Sequence, residues 1–114
     1  MYFSFIIPVY NRPDEIEELL QSLTQQNYKY DFEVVVVEDG STIKCNEIIE
    51  KFNSILSISY FYKQNSGPGD SRNYGMRVAK GDFFLILDSD CILPNDYLLN
   101  VQKNLEKCFV HCFG

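Results

Sequence analysis

The sequence is short of positive charge. Ten Lys and Arg stand against sixteen Asp and Glu, a formal net charge of −6. That balance argues against a generic nucleic-acid binder, which presents a basic patch. It does not exclude a phosphate ligand, because a bound cation offsets local acid. Histidine is nearly absent: His111 is the only one, and in its apolar run it reads as structural rather than catalytic. Cys45, Cys91, Cys108 and Cys112 form no C-x-x-C pair, so no zinc or redox dithiol is signalled. Reduced thiols in a cytosolic protein are the expectation; Cys108 and Cys112 would share a face if their segment is a strand. No apolar stretch is long enough to span a bilayer, and Met1 leads into a strand-like run without a basic leader. The segment is therefore expected to be soluble and cytoplasmic, with membrane association left to a longer parent protein. No G-x-x-x-x-G-K-[ST] occurs, which excludes a P-loop hydrolase.

What is present is a core and a rhythm. A chain of 114 residues, 46% hydrophobic and 23% charged, suits one compact globular domain. Apolar runs alternate with helix-period segments. Tyr2–Val9 is a strand, and Pro13 opens a helix whose Ile16, Leu19, Leu20 and Leu23 make one stripe. Phe32–Val37 holds consecutive valines, the pattern of a strand buried on both faces. Cys45, Ile48, Ile49 and Phe52 form a second helical stripe. Ile58–Tyr62 is a third strand, followed by a Gly- and Pro-rich loop and a helix capped by Asp70 or Ser71. Phe83–Leu87 reads as a fourth buried strand. A helix from Pro94–Asp96 carries Leu98, Val101 and Leu105, and Phe109–Phe113 reads as a fifth strand. Such alternation predicts an α/β fold: three layers, α/β/α, around a mostly parallel, Rossmann-like sheet.

Ligands of open α/β sheets bind beyond the carboxyl ends of the strands, so the residues following each strand are the candidates. After the first strand come Tyr10, Asn11 and Arg12. After the second come Glu38 and Asp39, either of which can accept a base N–H or a ribose hydroxyl. After the third come Asn65 to Arg72, where a helix N-terminus and a guanidinium favour an anion. After the fourth comes Asp88-Ser89-Asp90, whose paired carboxylates suit a hard divalent cation completed by substrate phosphates. Gly67 and Gly69 begin a G-x-G-x-x-G that Arg72 interrupts, which weakens a dinucleotide reading. The acids Glu15, Glu17 and Glu18 read as a solvated helix face.

Four blocks in order carry a resemblance: Ile6-Ile7-Pro8-Val9-Tyr10-Asn11; Val36-Val37-Glu38-Asp39-Gly40-Ser41; Asn65-Ser66-Gly67 with Ser71-Arg72-Asn73-Tyr74-Gly75; and Gly81-Asp82-Phe83 leading to Leu87-Asp88-Ser89-Asp90. Together they resemble the family 2 glycosyltransferases of the GT-A fold. The resemblance implies a nucleoside-diphosphate sugar donor, a UDP-sugar first among them, with Mn²⁺ or Mg²⁺ on the diphosphate. It implies an inverting transfer to a hydroxyl of a saccharide or lipid-linked acceptor. By position, Tyr10 packs on the base, Asp39 bonds the base, Asp88 holds the ribose and Asp90 binds metal. Pro8, Tyr10, Asn11, Glu38, Asp39, Gly67, Arg72, Asp88 and Ser89 are thus the candidate donor-binding residues, with Asp90 and Asp88 the candidate metal ligands. Two positions depart from the pattern: Ser71 stands where alanine is common, and Cys91 where a further acid often follows.

The resemblance also implies an acceptor half carrying the general base. Nothing in residues 1–114 matches that base, so the chain is expected to be a truncated, donor-binding part, with the base beyond Gly114. A non-catalytic nucleotide-binding module is the alternative. A phosphoacceptor signalling domain is disfavoured, because it places its acids after strands one and three. A nucleotidyltransferase would carry a basic, glycine-rich loop where Asn11-Arg12-Pro13 stands. An unfinished sheet edge would favour self-association.

Overall fold

Strand and helix alternate along the whole chain. The order is β1 (Phe3–Val9), α1 (Pro13–Thr24), β2 (Phe32–Asp39), α2 (Asn46–Phe52), β3 (Ser57–Lys63), α3 (Pro68–Val78), β4 (Phe83–Ile86) and α4 (Tyr97–Phe113). The computed structural model describes residues 2–113, with side chains described for 2–107.

The strands form one sheet of order β3-β2-β1-β4, and every pairing is parallel. The two central strands, β1 and β2, are the most deeply buried. Phe3, Phe5, Ile6, Ile7 and Val34 to Val37 are all 0% exposed, because helices cover both faces. On one face, the α1 stripe and Ile49 and Phe52 of α2 pack with Leu98 of α4 into the larger core cluster. On the other, Tyr74, Met76 and Val78 of α3 pack on Ile6, Val35 and Val37. The α/β/α layering therefore follows from the expected alternation.

Gly75 sets how closely α3 approaches. A Cβ there would lie 2.4 Å from Cγ2 of Ile6 and 3.5 Å from Cγ2 of Val37, and both side chains are fixed in the central strands. Gly75→Val is expected to destabilise the fold by about 1–3 kcal/mol through overpacking, despite the low helix propensity of glycine. Urea denaturation checks this; an unchanged midpoint would mean that α3 is free to lift from the sheet.

Three elements differ from the sequence expectation. The expected fifth strand at Phe109–Phe113 is the end of α4. No glycine or proline interrupts the chain between Tyr97 and Phe113, and Leu98, Val101, Leu105 and Phe109 keep helical spacing, so nothing stops the helix. The side chains of Cys108, His111 and Cys112 lie outside the described residues. The fourth strand is an edge rather than a buried strand: Phe84 is 41% and Ile86 42% exposed. Finally, α3 starts at Pro68 with Gly67 as its N-cap, so Asp70 stands in the first turn rather than capping it. Pro68 can begin a helix because its missing N–H would have no partner there.

Candidate functional site

The carboxyl ends of β1, β2 and β4 and the loop after β3 meet in a cleft of about 620 Å³. Its lining is Pro8, Val9, Tyr10, Arg12, Glu15, Asp39, Asn65, Gly67, Pro68, Asp88, Ser89 and Asp90. Of the residues expected from the sequence, Pro8, Tyr10, Asp39, Gly67, Asp88, Ser89 and Asp90 are brought together there. Tyr10 presents an exposed ring. A larger cavity, about 760 Å³, lies at the opposite ends of the strands around Tyr2, Phe32 and Ser57. It has no paired carboxylates and none of the strand-tip loops, so its size is not a reason to prefer it.

Asp39 is the most elaborately held group in the cleft. The parallel register sets Asp39 beside Lys63. The Lys63 ammonium donates to Oδ1 at 2.6 Å, the Ser66 amide to Oδ1 at 2.9 Å and the Gly67 amide to Oδ2 at 3.0 Å. Burial opposes ionisation of Asp39, but the Lys63 and amide hydrogen bonds and the Lys63 charge outweigh it and hold its carboxyl below the usual range. Two glycines permit this closure. Gly40 has φ 66°, and a Cβ on it would meet the Asn65 amide nitrogen at 2.6 Å. Gly67 has φ 101°, a left-handed conformation that lets its N–H turn toward the carboxylate.

Three candidates do not face the cleft. Glu38, next to Asp39, is 0% exposed. Its oxygens accept from Ser41 Oγ at 2.7 Å, the Cys45 amide at 2.9 Å and the Tyr60 hydroxyl at 2.6 Å. Glu38 therefore ties the β2 tip to α2 and β3. Burial and then the Glu38 charge push the Cys45 thiol up to about 12; burial and the hydrogen bond to Glu38 likewise raise the Tyr60 phenol. Asn11, at φ 51°, accepts with its side chain from the amides of Thr42 and Ile43, both at 2.9 Å. It clamps the loop after β1 to the loop after β2. Arg72 is exposed and outside the lining, because the earlier start of α3 moves it into the second turn.

Asp88-Ser89-Asp90 forms a turn closed by the Cys91 amide on the Asp88 carbonyl at 3.1 Å. Both carboxylates are exposed. Ser89 Oγ donates to Glu15 at 3.0 Å, and Arg12 lies 3.6 Å from the same carboxylate. The first turn of α1 thus anchors the turn from across the cleft. Reading Glu15 as a solvated surface acid missed this, although Pro13 so soon after β1 places that turn at the carboxyl edge. Lys63 was missed too, because its position beside Asp39 is set by register.

Residues 4–113 match the family described as Glycosyl transferase family 2. The chain is 44% identical over 110 residues to poly(ribitol-phosphate) beta-N-acetylglucosaminyltransferase TarS of Staphylococcus aureus, covering 94% of this chain and 19% of that protein. It superimposes on the crystal structure of S. aureus TarS 1-349 in complex with UDP-GlcNAc with a TM-score of 0.87 and 39% identity, over 94% of this chain and 32% of that one. The mannosyltransferase PcManGT from Pyrobaculum calidifontis, in complex with GDP-Man and Mn²⁺, gives a TM-score of 0.82 and 30% identity over 89% of this chain and 31% of that one. The chain thus spans less than a fifth of the length of that S. aureus relative. With the four sequence blocks, the parallel sheet and the family match all running over the same residues, this chain belongs to glycosyl transferase family 2.

Proposed function

We propose that the chain is the donor-binding part of a glycosyltransferase, which takes a nucleoside-diphosphate sugar and transfers the sugar to an acceptor hydroxyl with inversion. The observation that carries this reading is the convergence of Tyr10, Asp39 and the Asp88-Ser89-Asp90 turn on one cleft at the carboxyl edge of the sheet. Tyr10 offers its ring to a base face, Asp39 accepts a base N–H, and Asp88 reaches a ribose hydroxyl. A UDP-sugar is the donor favoured, supported by the UDP-GlcNAc complex of a structural relative.

Among the described residues no group of three or more His, Cys, Asp or Glu could hold a metal ion. Asp90 and Asp88 offer hard oxygen ligands on one exposed turn, and a Mg²⁺- or Mn²⁺-type site needs one or two carboxylates with phosphates completing the shell. The residues fit a cation bound jointly with the diphosphate. Asp90 and Asp88 would hold it, and its charge would offset that of the departing diphosphate. Glu15 steadies the turn through Ser89, and Asp39 orients the base. We assign no general base to this segment. The exposed Phe84 and Ile86 on the β4 edge support self-association of the chain by itself.

Melting temperatures measured with UDP, GDP, dTDP and UMP, with and without Mn²⁺, test the reading. A ligand at about 100 times its dissociation constant adds roughly 2.7 kcal/mol. A Mn²⁺-dependent shift with a diphosphate and its loss in Asp90→Ala are expected. Equal shifts in Asp90→Ala would remove the turn from the metal site, and no shift with any nucleotide would overturn donor binding by this chain.

A further inference from the structure

The fold has already used most of the acceptor capacity of Asp39. A carboxylate offers about four lone-pair sites. Oδ1 accepts from Lys63 Nζ at 2.6 Å and the Ser66 amide at 2.9 Å, and Oδ2 accepts from the Gly67 amide at 3.0 Å. Oδ1 is therefore full, and Oδ2 keeps one free lone pair. The Asp39 side chain is only 6% exposed, yet Asp39 lines the cleft. Lys63 itself is not part of that lining.

We propose that Lys63 is a specificity-determining residue: by occupying Oδ1 of Asp39, it restricts the site to bases that present one ring N–H with no amino group beside it and selects against guanine. This deepens the donor reading above and rests on it. Uracil and thymine present one N–H flanked by carbonyls, which matches the single free lone pair. Guanine presents an N–H and an adjacent amino group, a pair that both oxygens of a free carboxylate would accept. With Oδ1 filled, the amino group goes unpaired, a loss of roughly tenfold or more in affinity. Cytosine and adenine turn an unprotonated ring nitrogen toward the carboxylate, acceptor against acceptor. Without Lys63, each oxygen of Asp39 would hold one backbone N–H and keep one free lone pair, a symmetrical pair suited to guanine. Lys63 acts through Asp39 and is a positioning residue.

Hypoxanthine is guanine without the amino group, so inosine diphosphate isolates the effect. Dissociation constants for UDP, inosine diphosphate and GDP would be measured with Mn²⁺ on the chain, on Lys63→Met and on Lys63→Arg. The unaltered chain is expected to bind inosine diphosphate about tenfold tighter than GDP. In Lys63→Met that ratio should fall to about one or below, and Lys63→Arg, which still donates to Oδ1, should restore it. The ratio is insensitive to general loosening of the fold. If Lys63→Met does not fold, the purine pair on the unaltered chain still decides. Equal binding of the two purine diphosphates there, or an unchanged ratio in Lys63→Met, overturns the proposal. Exclusion of both purines alike assigns discrimination to cleft size and overturns it too. If UDP binds but the ratios fail, this proposal alone falls; if no diphosphate binds the unaltered chain, the donor reading falls with it.

Discussion

Replacing Glu38 with alanine is expected to destabilise the fold by about 3–5 kcal/mol, because buried donors would lose their acceptor together. The Ser41 hydroxyl, the Cys45 amide and the Tyr60 hydroxyl all converge on this one fully buried carboxylate. Glu38→Gln retains one acceptor oxygen but turns an NH₂ toward a donor, so it should cost less, about 1–3 kcal/mol. Denaturant titration gives both values. The same variants separate structure from ligand contact. Glu38 does not line the cleft, so folded Glu38→Gln should keep the nucleotide-induced rise in melting temperature. Its loss in a folded variant would show Glu38 to be a ligand contact after all.

Asp39→Ala is expected to cost about 3 kcal/mol in stability, at the low end for breaking a buried pair. Lys63 retains 13% exposure of its side chain and so keeps a route to water, which limits the cost. Nucleotide affinity should fall as well, since Asp39 is the proposed base acceptor. Acid provides an independent check. Asp39 is held below the ordinary carboxylate range, so its contribution is complete above the unfolded value and is lost as pH falls through the lowered folded value. The stability gap between the unaltered chain and Asp39→Asn should therefore be widest near neutral pH and narrow in acid. A gap independent of pH would mean that Asp39 is not ionised in the fold.

Much of the candidate site was legible because α/β alternation alone puts strand-tip residues at one edge. Tyr10 and the Asp88-Ser89-Asp90 turn follow apolar runs directly, and both line the cleft. The neighbours Glu38 and Asp39 could not be separated in the same way. Side chains alternate faces along a strand, so one of two adjacent carboxylates turns inward, but which one depends on the pairing. The observed register sets Glu38 against Tyr62 and Asp39 against Lys63, and Tyr60 completes the inward site. Asn11 shows the same limit: its residue type suited a polar ligand, while its side chain spans to the Thr42 and Ile43 amides.

By itself the sequence determined the α/β class, the doubly buried second strand and the edge at which the candidate residues collect. Those follow from apolar period and from Pro and Gly punctuation, which act over a few residues. The tertiary structure alone decided that β4 is an edge, that Glu15 reaches Ser89 and that Lys63 occupies Asp39. The last two contacts join residues far apart in the chain, and their partners are chosen by register and packing. Local residue preference carries no record of either.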